Sequence, residues 1–312
     1  MAARPVLAAP LLSDETPSSP PLAWLRFGGG EDPWRVPLPA LAGPGGETWP
    51  ASTGPAEGCE GALAWRSDGK HAFLALRLPD EAIEEAAERA YRDLLKALDA
   101  LGFPHLIRTW NYFPRIGAGE GEEERYRAFV RGRARAFAGR LEPGRYPAAT
   151  AIGSREPGLV VHALAARRPA ESVENPRQVP AWRYPPRYGL VPPSFARAMW
   201  AGGALLISGT ASVVGHESRH PGDLAAQFAE AWRNLEALCA LAGERAGPGR
   251  LAALRVYLRD AGRLAELLAR IPAGVPFVVL HGEICRRELL VELEGVWMPL
   301  SSAGPSPPAG GG

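Results

Sequence analysis

The chain has 312 residues, a length that suits two domains and can bury a large core without disulfides or metals. Hydrophobic residues make up 46% and charged residues 22%, and 35 basic against 34 acidic side chains leave a net charge of +1. That balance argues against a nucleic-acid binder held mainly by phosphate contacts, and three cysteines without C-x-x-C spacing argue against a disulfide framework or zinc site.

Residues 1–60 are rich in Pro, Gly and Ser, and Pro5, Pro10, Pro17, Pro20 and Pro21 forbid a long helix there. This segment is expected to be partly disordered, above all in its first dozen residues, with Trp24, Phe27 and Trp34 packing on the rest. Met1–Leu22 has no charged n-region followed by an apolar stretch, and no run reaches transmembrane length. A cytoplasmic protein with no membrane partner is expected.

Two similar stretches follow. Residues 61–170 read as a first domain: a strand at 72–77, a helix at about 81–100 closed by Gly102, a strand at 106–113, a helix at about 122–139, then strands at 148–152 and 159–164. Residues 201–300 repeat that order, with a strand at 204–208, a helix at about 223–242 closed by Gly243, a strand at 254–258, a short helix at 262–270, and strands at 277–280 and 289–294. The shared order predicts a duplicated α+β domain, each half a mixed sheet with helices on one face. Between them, residues 171–200 form a Pro-rich segment too long for a simple linker, and its aromatics Trp182, Tyr184, Tyr188 and Phe195 suggest a packed, functional loop. Residues 301–312, ending PSPPAGGG, read as a disordered tail.

The run Ser208-Gly-Thr-Ala-Ser212, Gln227, Asn234-Leu235 and the ending Leu290-Val-Glu-Leu-Glu294 resemble the RidA/YjgF family over about residues 203–297. Its imine-hydrolysing members carry an arginine after the proline that opens the penultimate strand. Here Pro276 is followed by Phe277-Val-Val, which counts against an imine deaminase. Seven segments in order resemble the chorismatases more closely. They are Thr109–Pro114, Ala149–Gly153, Asn175–Val179, Tyr184–Gly189, Pro193–Ala198, Ser208–His216 and His281–Arg287. The resemblance implies two RidA/YjgF-like (chorismate mutase-like) halves and an enzyme that splits chorismate and releases pyruvate. The other product would be 3-hydroxybenzoate, 4-hydroxybenzoate or a dihydroxycyclohexadiene carboxylate. No cofactor or metal is implied, and the oligomeric state stays open.

Chorismate carries two carboxylates, which planar guanidinium forks neutralise best. Arg177 and Arg197 sit in the matched segments and are the expected anchors, with Tyr184 and Tyr188 donating hydroxyl hydrogen bonds. Cleaving the enol ether needs a general acid with a raised pKa. Glu292 and Glu294 lie two apart, so a strand puts both on one face. The resemblance makes Glu292 the catalytic acid and Glu294 a supporting or solvent-facing residue. The equivalent position in the first repeat reads as His162, in Leu159-Val-Val-His, so the two halves are not chemically equivalent and one site per chain is expected. Cys285 and Ala198 are expected to shape the product, and they point to different branches: Cys285 to 3-hydroxybenzoate, Ala198 to hydrolysis. The expectation is a hydroxybenzoate, 3-hydroxybenzoate first. A non-catalytic RidA-like protein that binds a small carboxylate is the reading of another class.

Other patterns are weaker. His216-Glu-Ser-Arg-His220 fits HExxH, but Gly215 and Pro221-Gly222 flank it, so it reads as a loop and not a metal helix. The arginines of residues 125–140 read as a solvated helix face.

Overall fold

The computed structural model describes residues 7–300; the expected disordered tail, 301–312, lies outside them. Four α-helices occur among these residues: α1 (Ile83–Leu101), α2 (Arg125–Phe137), α3 (Leu224–Ala246) and α4 (Leu264–Leu268). Helix α1 buries Ile83, Ala87, Ala90, Tyr91, Leu94 and Leu98, a stripe at three- and four-residue spacing. It stops at Gly102, whose φ of 74° suits glycine and whose N–H returns to Asp99 and Leu98 carbonyls. Helix α3 starts at Asp223, whose carboxylate accepts the Ala226 N–H, and runs past Gly243 to end at Gly247. Truncating a stripe residue such as Leu94 or Leu235 to Ala should cost about 2–5 kcal/mol.

The two sheets share one plan. In the first, the order is Ala148–Ser154, His105–Pro114, Leu159–Ala166, His71–Leu78, Leu63–Ser67, Ala56–Glu60. In the second, it is Phe277–His281, Gly249–Leu258, Val291–Pro299, Ala204–Ala211, Ala198–Ala201, Glu171–Val173. The first pair in each order is parallel and the pairs after it are antiparallel. Each sheet then gains an edge strand from outside its half. Glu283–Ile284 pairs with Ile152 and Gly153 in the first sheet, and Ala40–Ala42 pairs with Phe277–His281 in the second. The α+β architecture read from the sequence is therefore present, but strand Ala56–Glu60 belongs to the first sheet, and Glu171–Val173 and Ala198–Ala201 belong to the second.

Each sheet carries its helices on one face. One cluster joins α1 and α2 to Leu74, Leu76, Val161 and Ala163, and another joins α3 to Leu205, Ile207, Val256 and Leu293. The opposite faces meet in a third cluster, which holds Trp110, Tyr112 and Leu164 from the first half and Leu206, Tyr257 and Val296 from the second. Residues 7–50 seal this middle layer. The expectation of disorder here is not met from Leu7 onward: Leu7 is buried, and Leu11–Leu12, Ala23–Phe27, Arg35–Val36 and Gly46–Trp49 form a four-stranded sheet. The prolines break helices, and these strands are short enough to pass between them.

The arginines of α2 are largely not a solvated face. Arg125 pairs with Asp80, Arg131 with Glu84 and Glu122, and Arg135 with Glu84 and Glu88, so they lace α2 to α1 and its approach.

Candidate active site

Where the second sheet meets the first, strand Ala204–Ala211 slips register between Ile207 and Thr210. The slip brings Ser208 and Gly209 against Ala148–Thr150. Ser208 Oγ accepts the Ala149 N–H at 2.9 Å and donates to the Ala196 carbonyl at 2.6 Å, and the Gly209 N–H donates to Thr150 Oγ1 at 2.9 Å. Gly209 is required there by close approach. A Cβ on it would fall 1.9 Å from Glu292 Oε1.

That carboxyl forms the floor of a cavity of about 350 Å³. Five arginines (Arg127, Arg187, Arg197, Arg286, Arg287) and three glutamates (Glu124, Glu288, Glu292) line it. Tyr126, Tyr184, Tyr188, Phe195, Ala211, Val213 and Cys285 supply its apolar walls. The lining suits an anion with an apolar ring. Glu292 is 6% exposed, and no hydrogen bond holds its carboxyl group among the described residues. Burial pushes its pKa up to about 8, and the neighbouring Glu294 adds to this against the opposing charges of Arg108 and Arg197. Near neutral pH it is therefore a protonated acid facing an open cavity.

Glu294 points to the same side and lives differently. It is 4% exposed and accepts from Arg108 Nη2 at 2.6 Å, Trp110 Nε1 at 2.8 Å and Thr150 Oγ1 at 2.5 Å, with Arg255 Nη1 at 3.4 Å. It is not solvent-facing. Arg255 in turn grips Glu47 through Nε and Nη2, both at 2.8 Å. Four buried charges thus join both halves and the N-terminal sheet.

Arg197 reaches the cavity from the Pro-rich segment. Its Nη2 donates to the Val179 carbonyl at 3.0 Å and to the Tyr184 hydroxyl at 2.6 Å. Because Tyr184 accepts there, its own proton is free to donate. Short 3₁₀ turns at Ala181–Arg183 and Pro186–Tyr188 set Tyr184 and Tyr188 side by side, ring centroids 5.4 Å apart. The Arg286 guanidinium lies 4.2 Å from the Tyr188 ring centroid and 5.3 Å from that of Tyr184. Loop 284–290, which carries Arg286 and Cys285, is pinned from behind. Arg259 donates to the Ile284, Arg286 and Leu289 carbonyls, and Gln227 bonds the Glu288 carbonyl and the Leu290 N–H.

The structure brings Glu292, Arg197, Tyr184, Tyr188 and Cys285 together and leaves out two expected residues. Arg177 does not line the cavity; its guanidinium is committed to Glu230 at 2.5 Å and Asn234 Oδ1 at 2.6 Å, and it pins the Pro-rich segment to α3. Ala198 is fully buried in the helix-side cluster, on the face away from the cavity; the small residue on the wall is Ala211. Cys285 is a thiol and not a thiolate, because burial and then the Glu292 charge push its pKa up to about 12 against Arg286. Residues not singled out from the sequence are Arg286, Gly209 and Tyr126. The first two lay inside matched segments, and Tyr126 had no local signal.

The pairing registers also correct the His162 equivalence. Val160 faces Tyr112 across its strand pair as Glu292 faces Tyr257, and His162 faces Trp110 as Glu294 faces Arg255. The first-half counterpart of Glu292 is Val160. The HExxH run forms a hairpin, Val213–Val214 with Glu217–Ser218; His216 Nδ1 meets Arg187 and Tyr188 while His220 meets Glu230. No metal-holding cluster occurs among the described residues, and none of their helices is long and apolar enough to cross a membrane.

Comparison with known proteins gives this site its context. A family model described as "Chorismatase FkbO/Hyg5-like, N-terminal" matches residues 47–165. A Streptomyces hygroscopicus protein named 3-hydroxybenzoate synthase is 39% identical over 281 residues, covering 82% of this chain and 82% of that protein. A Streptomyces rapamycinicus protein named chorismatase is 35% identical over 273 residues, covering 80% of this chain and 81% of its own. A crystal structure of a chorismatase matches with a TM-score of 0.81 at 31% identity, over 93% of this chain and 98% of that one. With a buried acid set beneath an arginine-lined cavity and kinship over four-fifths of its length, the chain belongs to the chorismatase family of enzymes.

Proposed function

We propose that this enzyme cleaves the enolpyruvyl ether of chorismate, with Glu292 as the general acid, and releases pyruvate and 3-hydroxybenzoate. The observation that carries the reading is the Glu292 carboxyl itself. It is buried, without a hydrogen bond, and shifted to a pKa of about 8 at the floor of a cavity rich in arginine.

Arg197, the Tyr184 hydroxyl and Arg286 would bind the two carboxylates. Their arrangement leaves the ring against Phe195, Ala211, Val213 and Cys285. The Glu292 proton goes to the terminal methylene of the enol ether. This makes a methyl group and leaves positive charge on the ether carbon and oxygen, which the Glu292 carboxylate then faces. The bond from the ring carbon to the ether oxygen then breaks, and that oxygen leaves as the keto oxygen of pyruvate. The oxygen of the neighbouring ring hydroxyl closes onto the vacated carbon as an epoxide, and its proton returns to Glu292. The epoxide opens at its other carbon, its oxygen gains a proton as the ring carbon that keeps it loses one, and the ring aromatises as 3-hydroxybenzoate. A hydroxybenzoate plus pyruvate contain all the atoms of chorismate, so no water is consumed overall, whereas the dihydroxycyclohexadiene carboxylate would need one.

Two points support the aromatic product. Cys285 lines the cavity and is neutral, while Ala198, which pointed to hydrolysis, lies outside it. A relative bears the name 3-hydroxybenzoate synthase. The test is incubation with chorismate, with pyruvate measured by a coupled assay and the ring product by chromatography. Pyruvate with 3-hydroxybenzoate is expected. Folded protein that releases no pyruvate would sink the whole reading, and a dihydroxycyclohexadiene carboxylate would sink the product alone.

A further inference from the structure

The acid proton of Glu292 has to be kept near neutral pH in a molecule with 33 arginines, two of which approach it. The groups facing it can be taken element by element. From its own strand comes Glu294, from the neighbouring strand Tyr257, and from the first half Arg108 and, on α2, Tyr126. Arg197 comes from the Pro-rich segment and Cys285 from the loop 284–290. Tyr126, Tyr257 and Cys285 are all raised by burial and stay neutral. Arg127, Arg187, Arg286, Arg287, Glu124 and Glu288 line the rest of the cavity, while the charges that act on Glu292 are those of Glu294, Arg108 and Arg197, and the first two of these belong to the buried quartet.

That quartet is balanced. Arg108 and Arg255 carry two positive charges, Glu294 and Glu47 two negative, and every side chain in it is at most 5% exposed. Both Glu294 oxygens only accept, as a carboxylate requires. Thr150 ties the quartet to the acid site: its hydroxyl donates to Glu294 and accepts from the Gly209 N–H, and Gly209 is the backbone against which Glu292 rests.

We propose that this charge-neutral quartet, with Glu294 as its positioning residue, keeps Glu292 in the acid form, and that the substrate completes the effect by neutralising Arg197. The inference rests on the general-acid reading above. It assigns Glu294 a role in the reaction without contact with the substrate. Removing one anion from the quartet leaves a net cation beside Glu292 and drives it to ionise; removing one cation does the opposite. Nearby single charges move a carboxyl group by about 1–3 pH units.

The experiment is the pH dependence of pyruvate release for the wild type, Glu294→Gln, Arg108→Gln and the double variant. The wild type should lose kcat/KM on an alkaline limb near pH 8, with the limb on kcat at higher pH because bound substrate occupies Arg197. Glu294→Gln should move the limb at least one unit down, so that about tenfold is lost between pH 6 and pH 8. Arg108→Gln should move it up by a similar amount. The double variant should return to the wild-type limb, with KM within about threefold throughout. A merely structural role cannot give opposite shifts that cancel. Limbs that stay put, or move the same way in both single variants, overturn the proposal. If the single variants do not fold, the double variant, which leaves no unpaired buried charge, decides the matter; a limb displaced by a unit or more is then the negative result. Glu292→Gln separates the two ideas. Retained turnover sinks the general-acid reading, whereas loss of turnover beside immobile limbs sinks only the role of the quartet.

Discussion

The two halves of the molecule are built on one plan and do different work. On the inner face of its third strand the first half places Val160 and His162; at the matching steps the second half places Glu292 and Glu294. The surroundings differ as much as the residues. The first-half pair is capped by the N-terminal segment. His162 Nε2 meets the Pro33 carbonyl at 2.7 Å, and burial lowers its pKa to about 4. The second-half pair is roofed by the first half's own strand Ala148–Ser154 at one end and opens onto a cavity at the other. Duplication therefore supplied a wall as well as a site: one copy became the support against which the other's acid is held.

The largest effect should come from breaking the second-half side of this comparison. Glu292→Gln should lower kcat by about 10²–10⁴-fold in a pyruvate assay, with unchanged circular dichroism. Gly209→Ala should come next, at about 10²-fold, because its methyl group takes the space of the Glu292 carboxyl. The two arginines of the Pro-rich segment should separate cleanly. Arg197→Met should raise KM by about 10–100-fold, the loss of a charge-assisted contact. Arg177→Met should lower thermal stability by about 1–3 kcal/mol, through Glu230, with little change in KM.

A smaller effect follows from proton linkage. The folded pKa of Glu292, about 8, lies above the ordinary 4.5, so the folded state holds the proton more tightly than the unfolded chain. Its contribution is complete below about pH 4.5 and is lost as pH rises to about 8. Glu292→Gln should abolish that loss, so its melting temperature should exceed that of the wild type by roughly 2–5 °C at pH 8.5, and the gap should close toward pH 5. The first half gives the mirror case and the smallest catalytic change. His162→Gln should leave kcat within about threefold. The neutral histidine stabilises above its ordinary 6.5 and loses that contribution as pH falls through about 4, which scanning calorimetry in acid should register.

The duplicated order was legible because each half alternates long apolar stripes with short strands, and those periods are local. Glu292, Arg197, Tyr184, Tyr188 and Cys285 were legible because they lie within or beside segments that keep their spacing. The quartet was not. Glu294 meets Arg108, Trp110 and Thr150 across 186, 184 and 144 residues, and no local period encodes such distances. Arg177 looked like a ligand anchor because a sequence shows a guanidinium without its partner, and that partner, Glu230, lies 53 residues away. The N-terminal sheet was hidden by strands of two to five residues among prolines, which read locally as disorder.

The edge strand Glu283–Ile284 has a bearing on how such a chain could be assembled. The segment that completes the first half's sheet leads directly into the loop holding Cys285 and Arg286. A first half made alone would present the bare rim of Ala148–Ser154, an invitation to self-association. A second half made alone would lack the cavity wall built by Glu124, Tyr126 and Arg127 and the strand against which Gly209 packs. Separating the chain at its repeat boundary should therefore leave the first half with an open sheet edge and the second with an incomplete cavity. Each copy thus depends on the other, the first for the edge of its sheet and the second for one wall of its chamber.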